Sequence, residues 1–398
     1  EEEAIEETTR ILRESTRLRM ISEVPLGAFL SGGVDSSTVV ALMAQESSRP
    51  VKTFSIGFEE QDYSELKYAR RVAEHVGAEY NEFVVKPNAI EILPTLVEHY
   101  GEPYADSSAI PTFYVSRETR KHVTVALNGD GGDESFAGYE RYAAMLIAER
   151  YQRIPRSLRA SLIEGPMALL PTSELKRSRV RDAKRFLKAA SLPRTKRYER
   201  WMTTFDEKAK AEIYTDDFRA SIGDADDSTI LDEWFARANG SGVLDAAMLT
   251  DQMTYLPNDL LVKVDIASMA NSLEARSPFL DHKVIEFAAS LPENIKMRRF
   301  ETKSLLKKVA ARLVPREVVY RRKMGFGVPI GKWFRSEMKD FVRDALLSPT
   351  ALTRGIVRPE AIERYVNEHT SGSRDHSFQI WTLLMLELWF QRFIDQGN

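Results

Sequence analysis

The 398-residue chain has no cysteine. That excludes disulfides, thiolate metal sites and a cysteine nucleophile, and a chain of this length can bury a core without covalent staples. Long apolar runs are missing too. The most apolar stretch, Ile380 to Phe390, carries Glu387 in its middle, so it falls short of the roughly eighteen uninterrupted residues of a membrane helix and reads as a buried one. Charge of one sign is scarce: the formal net charge is -3, and no basic, aromatic-interleaved patch points to nucleic acid. The six histidines show no metal-ligand spacing, and none is read as catalytic. No signal-peptide pattern opens the chain, so a cytoplasmic location is expected. The first residue is Glu1 rather than Met, inside an amphipathic helix pattern, which leads us to expect a piece of something longer.

What remains is the composition of an ordinary globular protein, 43% hydrophobic and 29% charged, with room for two or three domain-sized units or one elaborated enzyme. Strand patterns at Val24 to Leu30, Val51 to Phe58, Tyr80 to Val85 and Val123 to Leu127 alternate with helical patterns at Thr38 to Gln45, Ser64 to His75, Ala89 to Tyr100 and Pro111 to Thr119. Such alternation predicts an α/β fold with a doubly wound parallel sheet, occupying residues 1–150. Beyond about residue 140 strand signals fade, and 151–398 reads as a mostly helical extension that completes the site. The acidic stretch from Asp216 to Asp227 reads as a solvated loop.

Two glycine-rich segments carry the chemistry. Ser31-Gly32-Gly33-Val34-Asp35-Ser36-Ser37 falls where a strand gives way to a helix. Glycines let backbone N–H groups approach an anion, the serines add donors, and the helix N-terminus supplies partial positive charge. Asp35 would repel phosphates unless it held Mg²⁺ between itself and them. The segment lacks the Gly-Lys-Ser/Thr of the P-loop and the spaced glycines of the dinucleotide fingerprint. The second, Asn128-Gly129-Asp130-Gly131-Gly132-Asp133-Glu134, packs three carboxylates among three glycines after another strand. That density is tolerable where cations bind or one carboxyl is protonated.

The first segment resembles the pyrophosphate-binding loop of ATP-pyrophosphatases, which cleave ATP between the α and β phosphates. The second, with Phe136-Ala137-Gly138-Tyr139 after it, resembles the corresponding segment of asparagine synthetases and β-lactam synthetases. The likeness extends over essentially the whole chain, to the synthetase half of the glutamine-hydrolysing asparagine synthetase family. It implies an ATP-dependent amide-forming ligase using ATP and Mg²⁺, in which aspartate is adenylated and ammonia attacks. Phe29, Ser31, Gly32, Gly33, Asp35, Ser36, Ser37, Ile56, Asn128 and Gly129 would line the nucleotide, and Asp35 and Asp133 would hold the metal. Asp130 stands where the family usually has the longer Glu.

Tyr255 to Leu261, Lys263, Asp265 and Leu273 to Asp281 also match the family. Glu274, Arg276 and Asp281 suit either a structural ion network or the substrate pocket. Asp106 suits either a helix cap or the site, and Glu134 and Asp265 are weaker pocket candidates. Lys303 and Lys323 look like late lysines able to neutralise charge developing on phosphate oxygens, so with Asp130 they are the catalytic candidates. The family's glutaminase domain, which uses an N-terminal Cys, is absent here, so the expected small-molecule partners are aspartate and ammonia, with a glutaminase domain in the full-length protein. A homodimer is left open. Two alternatives accompany this assignment: a β-lactam synthetase-like or peptide-cyclising enzyme that closes a carboxylate onto an internal amine, and a non-catalytic ATP-binding scaffold.

Overall fold

A computed structural model describes residues 1–58, 65–85, 89–169, 179–223, 229–321 and 327–396; Lys323 lies outside the described residues. Five parallel strands form the central sheet: β1 (Leu26–Phe29), β2 (Lys52–Phe58), β3 (Glu79–Val85), β4 (Val125–Leu127) and β5 (Glu274–Arg276). Their order is β3-β2-β1-β4-β5. The chain leaves β1 in one direction to build β2 and β3, then returns to lay β4 on the other side of β1. That reversal opens a crevice between the carboxyl ends of β1 and β4, where doubly wound sheets bind ligands.

The helices α1 (Glu2–Arg19), α2 (Val34–Glu46), α3 (Leu66–Val76), α4 (Ala89–Tyr100) and α5 (Ala109–Arg120) surround the sheet. In α1 the buried residues Ile5, Thr8, Ile11, Leu12, Ser15 and Thr16 recur at helical spacing, with Glu2 and Glu3 in the first turn and Arg17 and Arg19 in the last, matching the helix dipole. By contrast α2 is buried continuously from Ser36 to Met43, because α1, the sheet and the helix Ser304–Ala310 enclose it. A second core lies around α4, α5 and the helix Ser377–Trp389. There Ile380, Trp381 and Leu384 are buried as the sequence suggests, and Glu387 is made tolerable by a two-bonded pair with Arg354, 3.1 Å for each bond.

The later part of the chain is mostly helical, yet it also supplies β5, which pairs Val125 with Glu274 and Leu127 with Arg276. One difference is local. Residues Asp216–Ile222 of the acidic stretch form a short helix rather than a loop, started by the Thr215 hydroxyl accepting the Phe218 N–H at 3.2 Å.

Candidate active site

Both glycine segments emerge at the reversal point. After β1 the backbone turns at Gly32, whose φ of 68° is left-handed, and enters α2 through Gly33. A side chain at Gly32 would also meet the Ala69 backbone nitrogen at 2.6 Å, so this turn is closed to other residues. The Ser31 and Ser36 hydroxyls lie 3.0 Å apart, and Ser31 Oγ accepts the Gly33 N–H at 3.2 Å. Ser37 is buried in the first turn of α2, Phe29 packs beside Phe54, and Ile56 is half-buried in β2.

The second segment follows β4 and enters α6 (Gly132–Ser135). Asn128 N–H donates to the Arg276 carbonyl at 2.9 Å, so β5 fixes where this turn starts. The two segments then touch. A Cβ on Gly129 would lie 2.7 Å from Asp35 Cβ, and one on Gly132 2.6 Å from Asp35 Oδ1. Glycine is required at both places because the carboxylate of the first segment sits against the backbone of the second.

Lys303 joins them. Its ammonium pairs with Asp35 and, at 2.8 Å, with Asp133, and the residue is only 5% exposed. Burial alone would lower its pKa, but Asp133 and Asp35 outweigh it and hold the group above the ordinary lysine value. Lys303 caps the helix Ser304–Ala310 with a left-handed φ of 55°, and its N–H donates to the carbonyl of Ala137, itself at φ 54°. Two non-glycine residues in that region cost about 1–3 kcal/mol each, held in place by the surrounding structure. Gly138 must be glycine because a Cβ there would collide with both Asp133 and Lys303.

Asp130 is pushed up to about 6, first by burial and then by Asp35 and Asp133, against the pull of Lys263. Glu134 is pushed up to about 7 by burial and by Asp133, while the Tyr139 hydroxyl donates to it. Asp106 forms a 2.9 Å pair with Lys263 and also accepts from the Ser108 N–H and hydroxyl at 2.8 Å. Despite burial, Lys263 and Ser108 hold Asp106 below the usual carboxylate range. The site therefore contains two carboxylates paired with Lys303, one paired with Lys263, and two, Asp130 and Glu134, that burial raises to about 6 and about 7.

Asp35, Asp133, Asp130, Glu134 and Lys303 are thus brought together with Asn128, Gly129 and the first segment, and Asp106 reaches them through Lys263. Four other candidates point elsewhere. Asp265 is exposed on the helix Leu261–Met269. Glu274 is exposed, and Arg276 donates to it at 2.6 Å and to the carbonyls of Arg19 and Ile21 at 3.0 and 2.8 Å. Asp281 pairs with Arg19 at 2.9 Å. Two contributors carry no glycine motif: Lys263, and Arg321, which donates to the Gly32 carbonyl at 3.0 and 3.2 Å and lies over the Tyr68 ring. Besides its match to the family, a lone lysine in an otherwise apolar run, Leu261-Val262-Lys263-Val264, is the sequence signal that singles out the first.

The sequence profile of the family described as asparagine synthase matches residues 7–391. The chain belongs to the asparagine synthase family. It is 34% identical over 390 residues to asparagine synthetase (glutamine-hydrolyzing) 1 of Bacillus subtilis, covering 98% of this chain and 59% of that protein. A putative asparagine synthetase (glutamine-hydrolyzing) of Mycobacterium tuberculosis is 35% identical over 394 residues, with 98% and 58% covered. The chain therefore spans less than two thirds of these relatives. A more distant likeness, 24% over 375 residues, is to the amidase chyE of Penicillium rubens.

Proposed function

We propose that this chain is an ATP-dependent, amide-forming synthetase that adenylates the side-chain carboxylate of aspartate and transfers the acyl group to ammonia. The observation that carries this is the meeting of Asp35, Asp133 and Lys303 between two glycine turns at the β1/β4 crevice. The donor set suits Mg²⁺. No group of three or more His, Cys, Asp and Glu side chains among the described residues could hold a metal alone, but Mg²⁺ on ATP needs only one or two carboxylates, the phosphates completing its shell. Asp35 and Asp133 would hold it, and its charge would neutralise the phosphate oxygens.

The turn at Ser31 to Gly33 and the N-terminus of α2 orient the pyrophosphate, through backbone N–H groups and the Ser31 and Ser36 hydroxyls. Lys303 offsets negative charge as the bond between the α and β phosphates breaks. The aspartate carboxylate attacks the α phosphorus, pyrophosphate leaves, and β-aspartyl-AMP forms. Ammonia then attacks the acyl carbon, AMP leaves with its oxygen, and the proton lost from nitrogen passes to a nearby carboxylate. Asp130 and Glu134, raised to about 6 and about 7, suit that last task in their ionised form, because their raised values make them better proton acceptors than ordinary carboxylates.

Aspartate-dependent release of pyrophosphate with ammonium chloride as nitrogen source tests the assignment. Asparagine and AMP are expected in equal amounts, and glutamine alone should not replace ammonium, since a chain without cysteine cannot form the family's thiol nucleophile. Pyrophosphate release with no carboxylate at all would refute it. The glutaminase that would supply ammonia is proposed as a partner domain.

A further inference from the structure

The turn after β1 has a weak point. Gly32 and Gly33 are adjacent, and a peptide between two glycines has no Cβ on either side to restrain its rotation. Gly33 is held on its far side, because its carbonyl accepts the Ser37 N–H at 3.0 Å as α2 begins. The Gly32 carbonyl enters no helix. Among the described residues it accepts instead from Arg321, from Nε at 3.2 Å and from Nη2 at 3.0 Å.

Arg321 is itself fixed by its surroundings. Its Nη2 pairs with Glu65 at 2.5 Å, its guanidinium lies 4.4 Å from the centre of the Tyr68 ring, and its side chain is only 9% exposed. Glu65 and Tyr68 stand at the start of α3, whose first turn also forms the wall against Gly32 at Ala69. Val318 and Val319 of the helix Arg316–Val319 are buried in the core that encloses α2, so the backbone leading to Arg321 is anchored as well. With its charge met by Glu65 and two of its N–H groups directed to a backbone carbonyl, this guanidinium is arranged to hold a peptide rather than to bind a phosphate directly.

In a planar trans peptide the N–H points opposite to the carbonyl. Drawing the Gly32 carbonyl towards Arg321 therefore sends the Gly33 N–H to the other side of the turn, where it lies 3.2 Å from Ser31 Oγ, itself 3.0 Å from the Ser36 hydroxyl. Those are the donors assigned above to the pyrophosphate. We propose that Arg321 is a positioning residue for phosphate binding: through the Gly32 carbonyl it fixes the Gly33 N–H as an anion donor, and Glu65 in turn fixes Arg321. This rests on the assignment of that turn to the pyrophosphate and leaves the acyl-transfer steps untouched.

Calorimetric titration of the full chain with Mg²⁺-pyrophosphate reads this without turnover. Arg321→Met should weaken binding about tenfold, the scale of one charge-assisted hydrogen bond. Arg321→Lys should recover little of it, because a point charge does not replace the fork that spans Gly32 and Glu65. Glu65→Gln decides the sign. If Glu65 serves to hold Arg321, the substitution weakens binding severalfold, whereas a guanidinium acting directly on phosphate would be freed and bind it more tightly. In steady-state kinetics with aspartate and ammonium, Arg321→Met should raise KM for ATP about tenfold with KM for aspartate little changed, a split that general damage to the fold does not produce. Undiminished affinity in Arg321→Met, full affinity in Arg321→Lys, tighter binding in Glu65→Gln, or a KM for aspartate that rises in step with that for ATP overturns the proposal. An unaltered chain that binds no pyrophosphate overturns it together with the assignment of the turn. Pyrophosphate binding with the expected responses, but no pyrophosphate release from ATP with aspartate, refutes the synthetase assignment alone and leaves the role of Arg321 standing.

Discussion

At the scale of single residues, the site is a balance of buried charges. Lys303 neutralises Asp35 and Asp133 at once, and removing one partner of a buried ionic cluster leaves charges that cost about 3–5 kcal/mol. Lys303→Met is therefore expected to lower the stability measured by urea unfolding by about that amount, and to abolish pyrophosphate release. Urea unfolding unchanged in the variant would show that the ammonium is not buried between the two carboxylates. Glu134 behaves in the opposite sense. Its carboxyl is raised from 4.5 to about 7 in the folded chain, so the folded state binds more protons than the unfolded one within that window, and stability falls as pH rises through it. At one unit per 1.36 kcal/mol, the loss is on the order of a few kcal/mol. Glu134→Gln should flatten the pH dependence of the melting temperature between about pH 4.5 and 7, while its amide oxygen can still accept the bond from the Tyr139 hydroxyl. A variant whose pH profile keeps the original slope would remove Glu134 from this account.

At the scale of elements, the decisive contact joins the turn after β1 to the turn after β4. Gly129 and Gly132 have no room for a methyl group because Asp35 lies against them. Gly129→Ala should push the segments apart, costing about 1–3 kcal/mol in stability by overpacking. Activity should suffer more, since an ångström of misplacement costs about a hundredfold. Kinetics and urea unfolding on the same variant distinguish these effects: equal losses in both would make the contact structural only. The turns were legible in the sequence because glycine and carboxylate at fixed offsets have few other uses. β5 was not legible. Glu274-Ala275-Arg276 is three residues long and two of them are charged, so it offers no apolar alternation. It becomes a strand because β4 presents an open edge, and Arg276 is drawn away from the site by the carbonyls of Arg19 and Ile21.

At the scale of the whole molecule, the proposed nucleotide site depends on segments from both the first and the later part of the chain. The core around α2 includes Phe279, Leu305 and Leu306, and the sheet ends on β5. A fragment of residues 1–150 would lack that edge strand and a face of its core, so it should give a poorly dispersed amide NMR spectrum where the full chain gives a dispersed one. A dispersed, cooperatively melting fragment would show that the first 150 residues fold alone. The sequence by itself determined the alternation of strands and helices, the two glycine segments, Lys303 as a candidate and the kinship with the asparagine synthetases. Those are local signals, carried by periodicity, backbone permissiveness and short-range spacing. Only the tertiary structure decided that Lys303 closes on two carboxylates from different turns, that Lys263 holds Asp106, and that Asp265 and Glu274 face solvent. The physical reason is that burial and charge pairing arise between segments as far apart as Asp35 and Lys303, and chain spacing carries no information about either until the fold brings them together.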